Sequence, residues 1–323
     1  MYPIPRSNIF SAFFTLVLLF LLPHISLAQS EMDQPTLGTF NIGYKLQALE
    51  ADIIQDAYVE TTGMNIVSIQ FTPSLSPVLG AFISYEFTPG NEAEQDELIA
   101  LQSKSTDNGW KRILANFEFK ITDRWGMGFS YDDQSFLNSV QSNKDYWFVS
   151  ETSAQLLIPG DSISIATVFN NTEAYITLSG SQFDTHFGWF SIDYQKPFAT
   201  DALTTVTTIF DSKLKASGPF FRINSAKSSD GLAVSAAIKY AIDPEITVNG
   251  QNIGQISGNF ISSVNTLSYV EYSIDISYTQ KIFNIPTRAK LEYTTRIFED
   301  IVDEALITDD TIIGFSVSFL FSI

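Results

Sequence analysis

Residues 270–279 read VEYSIDISYT, and they alternate strictly between two chemical classes. Successive side chains of a β-strand point to opposite faces, so this period of two predicts a strand with one apolar and one polar face. A run of about ten such residues matches a tilted strand that crosses a bilayer. The apolar or aromatic members are Val270, Tyr272, Ile274, Ile276 and Tyr278.

The same alternation recurs along the chain, and helical periodicity is rare. It predicts an all-β fold, a single transmembrane antiparallel β-barrel of about 14–16 strands over residues 37–323. Regular alternation covers residues 39–47, 112–121, 125–132, 232–240, 288–294 and 315–323. Less regular strands are predicted at 64–72, 78–87, 146–158, 163–169, 174–181, 186–194, 203–210, 219–225 and within 245–262.

The connections between these strands are of two kinds. Tight turns are predicted at residues 122–124, 159–161 and 243–244, and long acidic loops at 49–61, 89–108 and 297–310. Short turns at one rim and long loops at the other are typical of outer-membrane barrels. Residues 170–173 and 196–200 are short where this scheme expects loops.

The N-terminus has the three parts of a secretory signal peptide. Arg6 precedes an apolar run from Ile9 to Leu22, and Ser26-Leu27-Ala28 forms a small-x-small cleavage site. The alternative is a transmembrane anchor, but the run is short against the ~20 residues that a spanning helix needs. We therefore predict removal of residues 1–28 and a flexible N-terminal segment over 29–36.

The composition excludes several functional classes. The net charge of −18 argues against nucleic-acid binding, which requires basic patches. The absence of cysteine excludes disulfides, thiolate metal sites and cysteine nucleophiles. Charged residues form only 17% of the chain, whereas about a quarter is usual for a soluble domain.

The last strand ends the chain with one apolar stripe. It comprises Phe315, Val317, Phe319, Phe321 and Ile323. This segment resembles the closing strand of bacterial outer-membrane β-barrels, which usually ends in an aromatic residue. The resemblance implies export to the outer membrane of a Gram-negative bacterium, insertion by the barrel assembly machinery, and contact with membrane lipid and lipopolysaccharide. It extends over the whole mature chain as a porin-like architecture and identifies no specific family.

A soluble, secreted all-β protein is the alternative to the membrane barrel. Its strands would also alternate, but the apolar face would point inward. The number and length of the strands, the export signal and the closing strand favour the membrane barrel, which also leaves no exposed strand edges.

The polar positions opposite the apolar stripes are predicted to line the lumen. The basic candidates are Lys45, Arg112, Lys120, Lys239, Arg288, Lys290 and Arg296. The acidic candidates are Glu86, Glu118, Asp132, Glu151, Asp193, Glu271, Asp275 and Glu292. The two signs nearly balance, whereas the loops hold the excess of acids.

A polar lumen predicts a porin-like channel for passive diffusion of small polar solutes, with a weak preference for cations because of the acidic loops. The alternative is a lumen closed by ion pairs, in a non-conducting barrel that acts as an adhesin, receptor or structural anchor through its extracellular loops.

Catalysis has little support in the sequence. The predicted mature chain has one histidine, His186. A serine does not follow it at the His-x-Ser spacing by which barrel lipases and lipid deacylases resemble one another. We expect an interfacial histidine at a strand end, no enzymatic activity, no cofactor and no metal. The acidic loops carry no ordered cation-binding motif and are expected to form a solvated rim.

Overall fold

The computed structural model describes most of the predicted barrel. It covers residues 37–54, 58–89, 93–95, 101–102, 109–142, 145–149, 154–200, 207–225, 231–242, 244–248, 251–252, 267–283, 285–300 and 309–322. The predicted signal peptide, the flexible N-terminal segment, Glu151 and much of the long loops lie outside these residues. Over the ranges just given, no helix has the length and hydrophobicity needed to cross a membrane.

Twelve long strands form a closed antiparallel barrel. Each strand pairs with the next along the chain, and the last pairs with the first, with Phe321 opposite Phe40 and Phe315 opposite Leu46. This closure leaves the wall without a free edge. The strands are β1 (Gly38–Ile54), β2 (Tyr58–Pro73), β3 (Leu79–Phe87), β4 (Gly109–Lys120), β5 (Trp125–Ser142), β6 (Ser162–Ser179), β7 (Phe183–Thr200), β8 (Thr207–Ser225), β9 (Gly231–Ile242), β10 (Leu267–Ile282), β11 (Ile285–Asp300) and β12 (Asp310–Ser322).

The prediction of a single antiparallel barrel is confirmed, but the wall has fewer strands than the sequence pattern indicated. Residues 170–173 are not a loop but the middle of β6, which unites the two predicted strands on either side. In the same way β8 unites the two strands that were predicted between residues 203 and 225. Polar residues inside these long strands gave the appearance of a break.

Two further predicted strands are not long wall strands but short segments paired to the first half of β8. Within 146–158 the chain forms a short hairpin of Tyr146–Val149 with Ala154–Leu157, whose first strand pairs in parallel with residues 207–210 of β8. In the described part of region 245–262, Glu245–Val248 pairs antiparallel with residues 212–215 of β8, and Gln251–Asn252 pairs with Thr247 and Val248. Both lie at the same rim of the barrel.

The two rims differ as predicted, although some connections are exchanged. Short turns at residues 74–78, 121–124 and 180–182 define one rim, which we call the short-turn rim. The predicted tight turn at 159–161 lies at the opposite, long-loop rim, because it joins the short hairpin to β6. The predicted long loop at 49–61 is mostly strand, since β1 continues to Ile54 and β2 begins at Tyr58.

The two faces of the wall show which alternative is right. Large apolar side chains on the outer face are exposed, as Ile274 is at 47%. Charged side chains of the inner face are buried, as Lys45 is at 3% exposure. A soluble sandwich or barrel would show the reverse, so the outer face is the lipid-facing surface of a transmembrane barrel.

The apolar belt lies nearer the short-turn rim than the long-loop rim. On β7, Phe187 and Trp189 are exposed on the outer face, but the next outward positions are Ser191 and Asp193. Asp193 is exposed between buried neighbours, so its predicted place in the lumen is wrong. Strands of 16–19 residues are longer than the ~9–11 that cross a bilayer, and on β7 the excess beyond Trp189 carries Ser191 and Asp193 on the outer face.

Candidate functional site

The interior of the barrel is the candidate functional site, because charged side chains from most strands meet there. Of the fifteen predicted lumen residues, twelve are buried or half-buried on the inner face, whereas Lys120 is exposed at the short-turn rim beside Asp123, Asp193 is on the outer face and Glu151 lies outside the described residues. The twelve interior residues are Lys45, Glu86, Arg112, Glu118, Asp132, Lys239, Glu271, Asp275, Arg288, Lys290, Glu292 and Arg296.

One group of ion pairs, the central cluster, is formed by Glu173, Arg222, Lys239, Glu271 and Arg296. Lys239 Nζ lies 2.7 Å from Glu271 Oε1 and 3.1 Å from Glu173 Oε1. Glu173 Oε2 also accepts a hydrogen bond from Arg222 Nη2 at 2.6 Å. Arg296 Nε donates to Glu271 Oε2 at 3.2 Å. Each acid of the cluster therefore has two basic partners.

A second group, the lateral cluster, occupies the neighbouring part of the interior. Lys45 Nζ lies between Glu292 Oε2 at 2.5 Å and Glu86 Oε2 at 3.6 Å. Arg112 makes two parallel hydrogen bonds of 2.8 Å to the carboxylate of Asp132. Lys290 pairs with Glu292 and, at 3.2 Å, with Asp275. The bidentate pair of Arg112 with Asp132 fixes the orientation of both side chains and also balances their charges.

Arg296 joins the two clusters across the lumen. Its Nη2 donates to Gln134 Oε1 at 3.3 Å, and Gln134 Nε2 donates to Asp132 Oδ2 at 2.8 Å. The Cζ atom of Arg296 also lies 3.7 Å from the centre of the Phe169 ring, a cation–π contact. Arg296 belongs to β11 and Gln134 to β5, which stand opposite each other in a ring of twelve strands.

Other contacts also connect opposite walls near the long-loop rim. The Tyr194 hydroxyl of β7 donates a hydrogen bond to Asp310 of β12. Backbones of β1 and β7, which are six strands apart, approach to within 8 Å between Cα atoms. The barrel is therefore flattened where these strands meet, and the side chains that connect its walls are buried in the interior.

Apolar side chains also fill the interior, although every residue predicted from the sequence to line the lumen is charged. One interior cluster consists of Leu49, Met64, Ile66, Trp110 and Phe136. Phe169, Phe190, Tyr194, Leu214 and Tyr269 are also buried. The phase of the alternation could have revealed some of them, since Phe136 lies two and four residues after the inward-facing Gln134 and Asp132.

His186 faces the interior rather than the membrane interface that was predicted. It is buried, and its Nε2 lies 3.0 Å from Asn224 Nδ2. Its Nδ1 lies 3.4 Å from Thr177 Oγ1, and its ring packs against Tyr175 with centroids 4.9 Å apart. The ring is held by neutral polar and aromatic groups in the half of the barrel nearer the short-turn rim.

Comparison with known proteins gives a structural similarity only. No protein-family model and no curated protein sequence matches the chain. A FadL homologue of Pseudomonas aeruginosa is 10% identical, with a TM-score of 0.42, over 88% of this chain and 90% of that one. An outer-membrane channel of Pseudomonas putida F1 is 9% identical, with a TM-score of 0.47, over 91% and 98%.

A further similar structure belongs to a different functional class. The translocator domain of the autotransporter NalP from Neisseria meningitidis is 8% identical, with a TM-score of 0.45, over 97% of this chain and 98% of that one. At these identities and TM-scores the similarities assign neither a family nor a solute to the chain. The functional argument therefore depends on the interior itself.

Proposed function

We propose that this protein is an outer-membrane channel for small polar solutes with a weak preference for cations, and that the central and lateral clusters close its lumen in the state described. The observation that carries the proposal is the charged interior. A barrel that needs only a filled core has no need of charge, since buried ion pairs can often be replaced by packed apolar residues without loss of stability. Charged walls do suit a path that water and polar solutes enter.

Unpaired polar atoms in the interior support the same proposal. Gln47 Nε2, Ser84 Oγ and Trp110 Nε1 are buried without a hydrogen-bond partner among the described residues. An unsatisfied buried polar group costs about 1–3 kcal/mol. Water that enters the lumen would remove this cost, as expected for a channel interior.

Conductance of Arg296→Ala tests this function. We expect the refolded mature protein to show small, infrequent openings in planar bilayers, because Arg296 ties opposite walls together. The Arg296→Ala variant should conduct severalfold more, since it loses the contacts to Gln134, Glu271 and Phe169 together. The matched control is Arg288→Ala, which removes another interior arginine whose described partner is only Thr279. Equal conductance of both variants would contradict a closure made by Arg296.

Reversal potentials test the cation preference. Replacing Glu299, Asp300, Asp303 and Glu304 with Gln or Asn should reduce the preference under a KCl gradient without closing the pore. The reason is that acids at an entrance concentrate cations over a screening length of about 10 Å at 0.1 M salt. Neutralising Asp123 and Asp184 at the opposite rim is the control. A clear anion preference that the loop variants leave unchanged would assign selectivity to interior bases instead.

A non-conducting barrel is the second candidate, and the contact between opposite walls favours it. In that case the acidic long-loop rim would serve as an adhesin, a receptor or an anchor. Absence of conductance in both the wild type and Arg296→Ala would favour this candidate. Neither candidate assigns a catalytic role to His186.

Localisation and assembly are part of the proposal. The predicted signal peptide would export the chain, and the C-terminal stripe on β12 would present the signal that the barrel assembly machinery reads. In the structure β12 lies between β11 and β1, so its placement completes the barrel. The short-turn rim would then face the periplasm, as in other outer-membrane barrels.

A further inference from the structure

One interior acid, Glu118, has no basic partner among the described residues. It projects inward from β4, two positions before Lys120 at the short-turn rim, and it is half-buried. Every acid of the central and lateral clusters lies within 3.6 Å of a lysine or arginine nitrogen. These paired acids are Glu86, Asp132, Glu173, Glu271, Asp275 and Glu292. The carboxylate of Glu118 is therefore left to water or to a bound cation.

The bases on this side of the interior have other partners. Lys120 Nζ lies 3.3 Å from Asp123 Oδ1, in the turn that follows β4. Arg222 Nη2 donates a hydrogen bond of 2.6 Å to Glu173 Oε2 in the central cluster. Neither base makes an ion pair with Glu118 in the part of the chain that the structure describes.

His186, which pairs in register with Arg222, adds polarity to this side without charge. Its Nε2 lies 3.0 Å from Asn224 Nδ2. Because an amide nitrogen only donates, Nε2 accepts this hydrogen bond and the imidazole is neutral. The proton of the ring then lies on Nδ1, which is 3.4 Å from Thr177 Oγ1. The histidine therefore does not compensate the charge of Glu118.

An aromatic ring stands beside the Glu118 side chain. Glu118 pairs in register with Gly128 of β5, and Gly128 pairs with Tyr175 of β6. The ring of Tyr175 lies over Gly128, since a Cβ at Gly128 would be 2.3 Å from Tyr175 Cζ. The Tyr175 hydroxyl reaches β4, where Asn116 Nδ2 donates a hydrogen bond of 2.8 Å to it. Asn116 is two positions from Glu118, so the ring spans from β6 to the strand that carries the acid.

Glycines leave space around the carboxylate. Gly80 of β3 pairs with Glu118 on the side away from Tyr175, and a Cβ added there would meet only the Glu118 backbone oxygen, at 3.8 Å. On β5, a Cβ at Gly126 would lie 3.6 Å from Glu118 Oε1 and 3.6 Å from Thr177 Cβ. A small group can therefore lie beside the carboxylate without displacing the wall.

We propose that Glu118 and Tyr175 bind the primary ammonium group of a small organic solute that enters from the short-turn rim. An ammonium supplies the missing positive charge, donates hydrogen bonds to a carboxylate and is attracted to an aromatic ring. A divalent cation fits less well, because it needs several oxygen ligands and no group of three acids or histidines that could hold a metal ion is found among the described residues. The inference rests on the proposed function for access of solutes to the lumen, but binding itself requires no conduction.

Saturation-transfer NMR of the folded protein in an uncharged detergent, with n-propylammonium as the probe, tests the site. We expect saturable binding of n-propylammonium and none of n-propanol, its neutral analogue. Glu118→Gln should weaken binding about tenfold or more, the effect of losing a hydrogen bond to a charged group. The matched control is Asp184→Asn, which removes the same charge from β7 at the same rim and should keep the binding.

Two further pairs of variants examine the ring and the space. Tyr175→Leu should weaken binding severalfold, the effect of one cation–π contact, whereas Tyr175→Phe keeps the ring and should bind more tightly than Tyr175→Leu. Gly80→Leu should obstruct the approach to Glu118. Its control is Ala233→Leu on the inner face of β9, which should leave binding unchanged.

Three results would overturn the proposal: equal affinity of the wild type and Glu118→Gln, equal binding of n-propanol, or equally effective competition by K⁺, which would show a general cation site. Absence of binding to a wild type that conducts would refute this site alone. Binding to a protein that never conducts would refute the channel and leave the site to the non-conducting candidate. If Glu118→Gln lacks the heat-sensitive gel mobility of a folded barrel, Gly80→Leu against Ala233→Leu decides.

Discussion

Replacing Ile274 with Lys is expected to cost about 2–4 kcal/mol of folding stability in lipid vesicles. Ile274 lies near the middle of β10, and its side chain is exposed on the outer face at 47%. A lysine there would place an ammonium group within hydrocarbon, where neither water nor a protein partner can solvate it. The measurement is the free energy of unfolding by urea in vesicles of defined composition.

The neighbouring position provides the control for this prediction. Ser273 is half-buried on the inner face, so Ser273→Lys places the same charge in the polar interior and should be mild. A soluble protein would also lose stability with Ile274→Lys, and the dependence of folding on lipid must therefore be measured alongside. Equal costs for the two variants would contradict the assignment of the faces.

The facing of the strands could be predicted from the sequence because it depends only on local alternation. At residues 270–279 the apolar residues are predicted to face lipid; Tyr272, Ile274, Ile276 and Tyr278 are exposed on the outer face, whereas Val270 is buried. Closure could also be predicted, since a chain with many strands and a predicted export signal has few other ways to protect its strand edges.

The number of strands could not be predicted because the length of a strand is not a local property. Residues 170–173 read NNTE, which is typical of a loop in a protein whose strands cross only the membrane. In β6 these residues lie beyond the apolar belt on the outer face and in the central cluster on the inner face. Both environments are polar, so this stretch lacks the alternating apolar residues by which a membrane strand is identified.

The contacts between side chains in the interior could not be predicted from the sequence either. Arg296 and Gln134 are separated by 162 positions, and their contact depends on the flattening of the whole barrel. Glu173, which has two basic partners, was absent from the predicted lumen set because it lay in the supposed loop. Period two identifies which side chains point inward, but it does not show which of them meet.

Replacing Glu271 with Ala is expected to have the largest effect on stability, about 3–5 kcal/mol, because it leaves buried charge without compensation. Glu271 accepts hydrogen bonds from Lys239, Arg296 and the Tyr269 hydroxyl, the last at 2.7 Å. After the substitution Lys239 keeps Glu173, whereas Arg296 keeps, among the described residues, only Gln134 and the rings of Phe169 and Tyr194. The readout is again urea unfolding in vesicles.

The loss of unfolding free energy in Glu271→Ala shows whether the lumen around the central cluster is filled with water. In a lumen already filled with water, an ion pair would be worth no more than about 1 kcal/mol, as for exposed pairs. A cost that small would contradict a closed central cluster. Glu118→Ala is the control, because Glu118 is a half-buried interior acid with no ion pair among the described residues. The double variant Glu271→Ala/Arg296→Ala should recover part of the loss, since it also removes the uncompensated guanidinium, and a double-mutant cycle then measures the coupling between the two side chains.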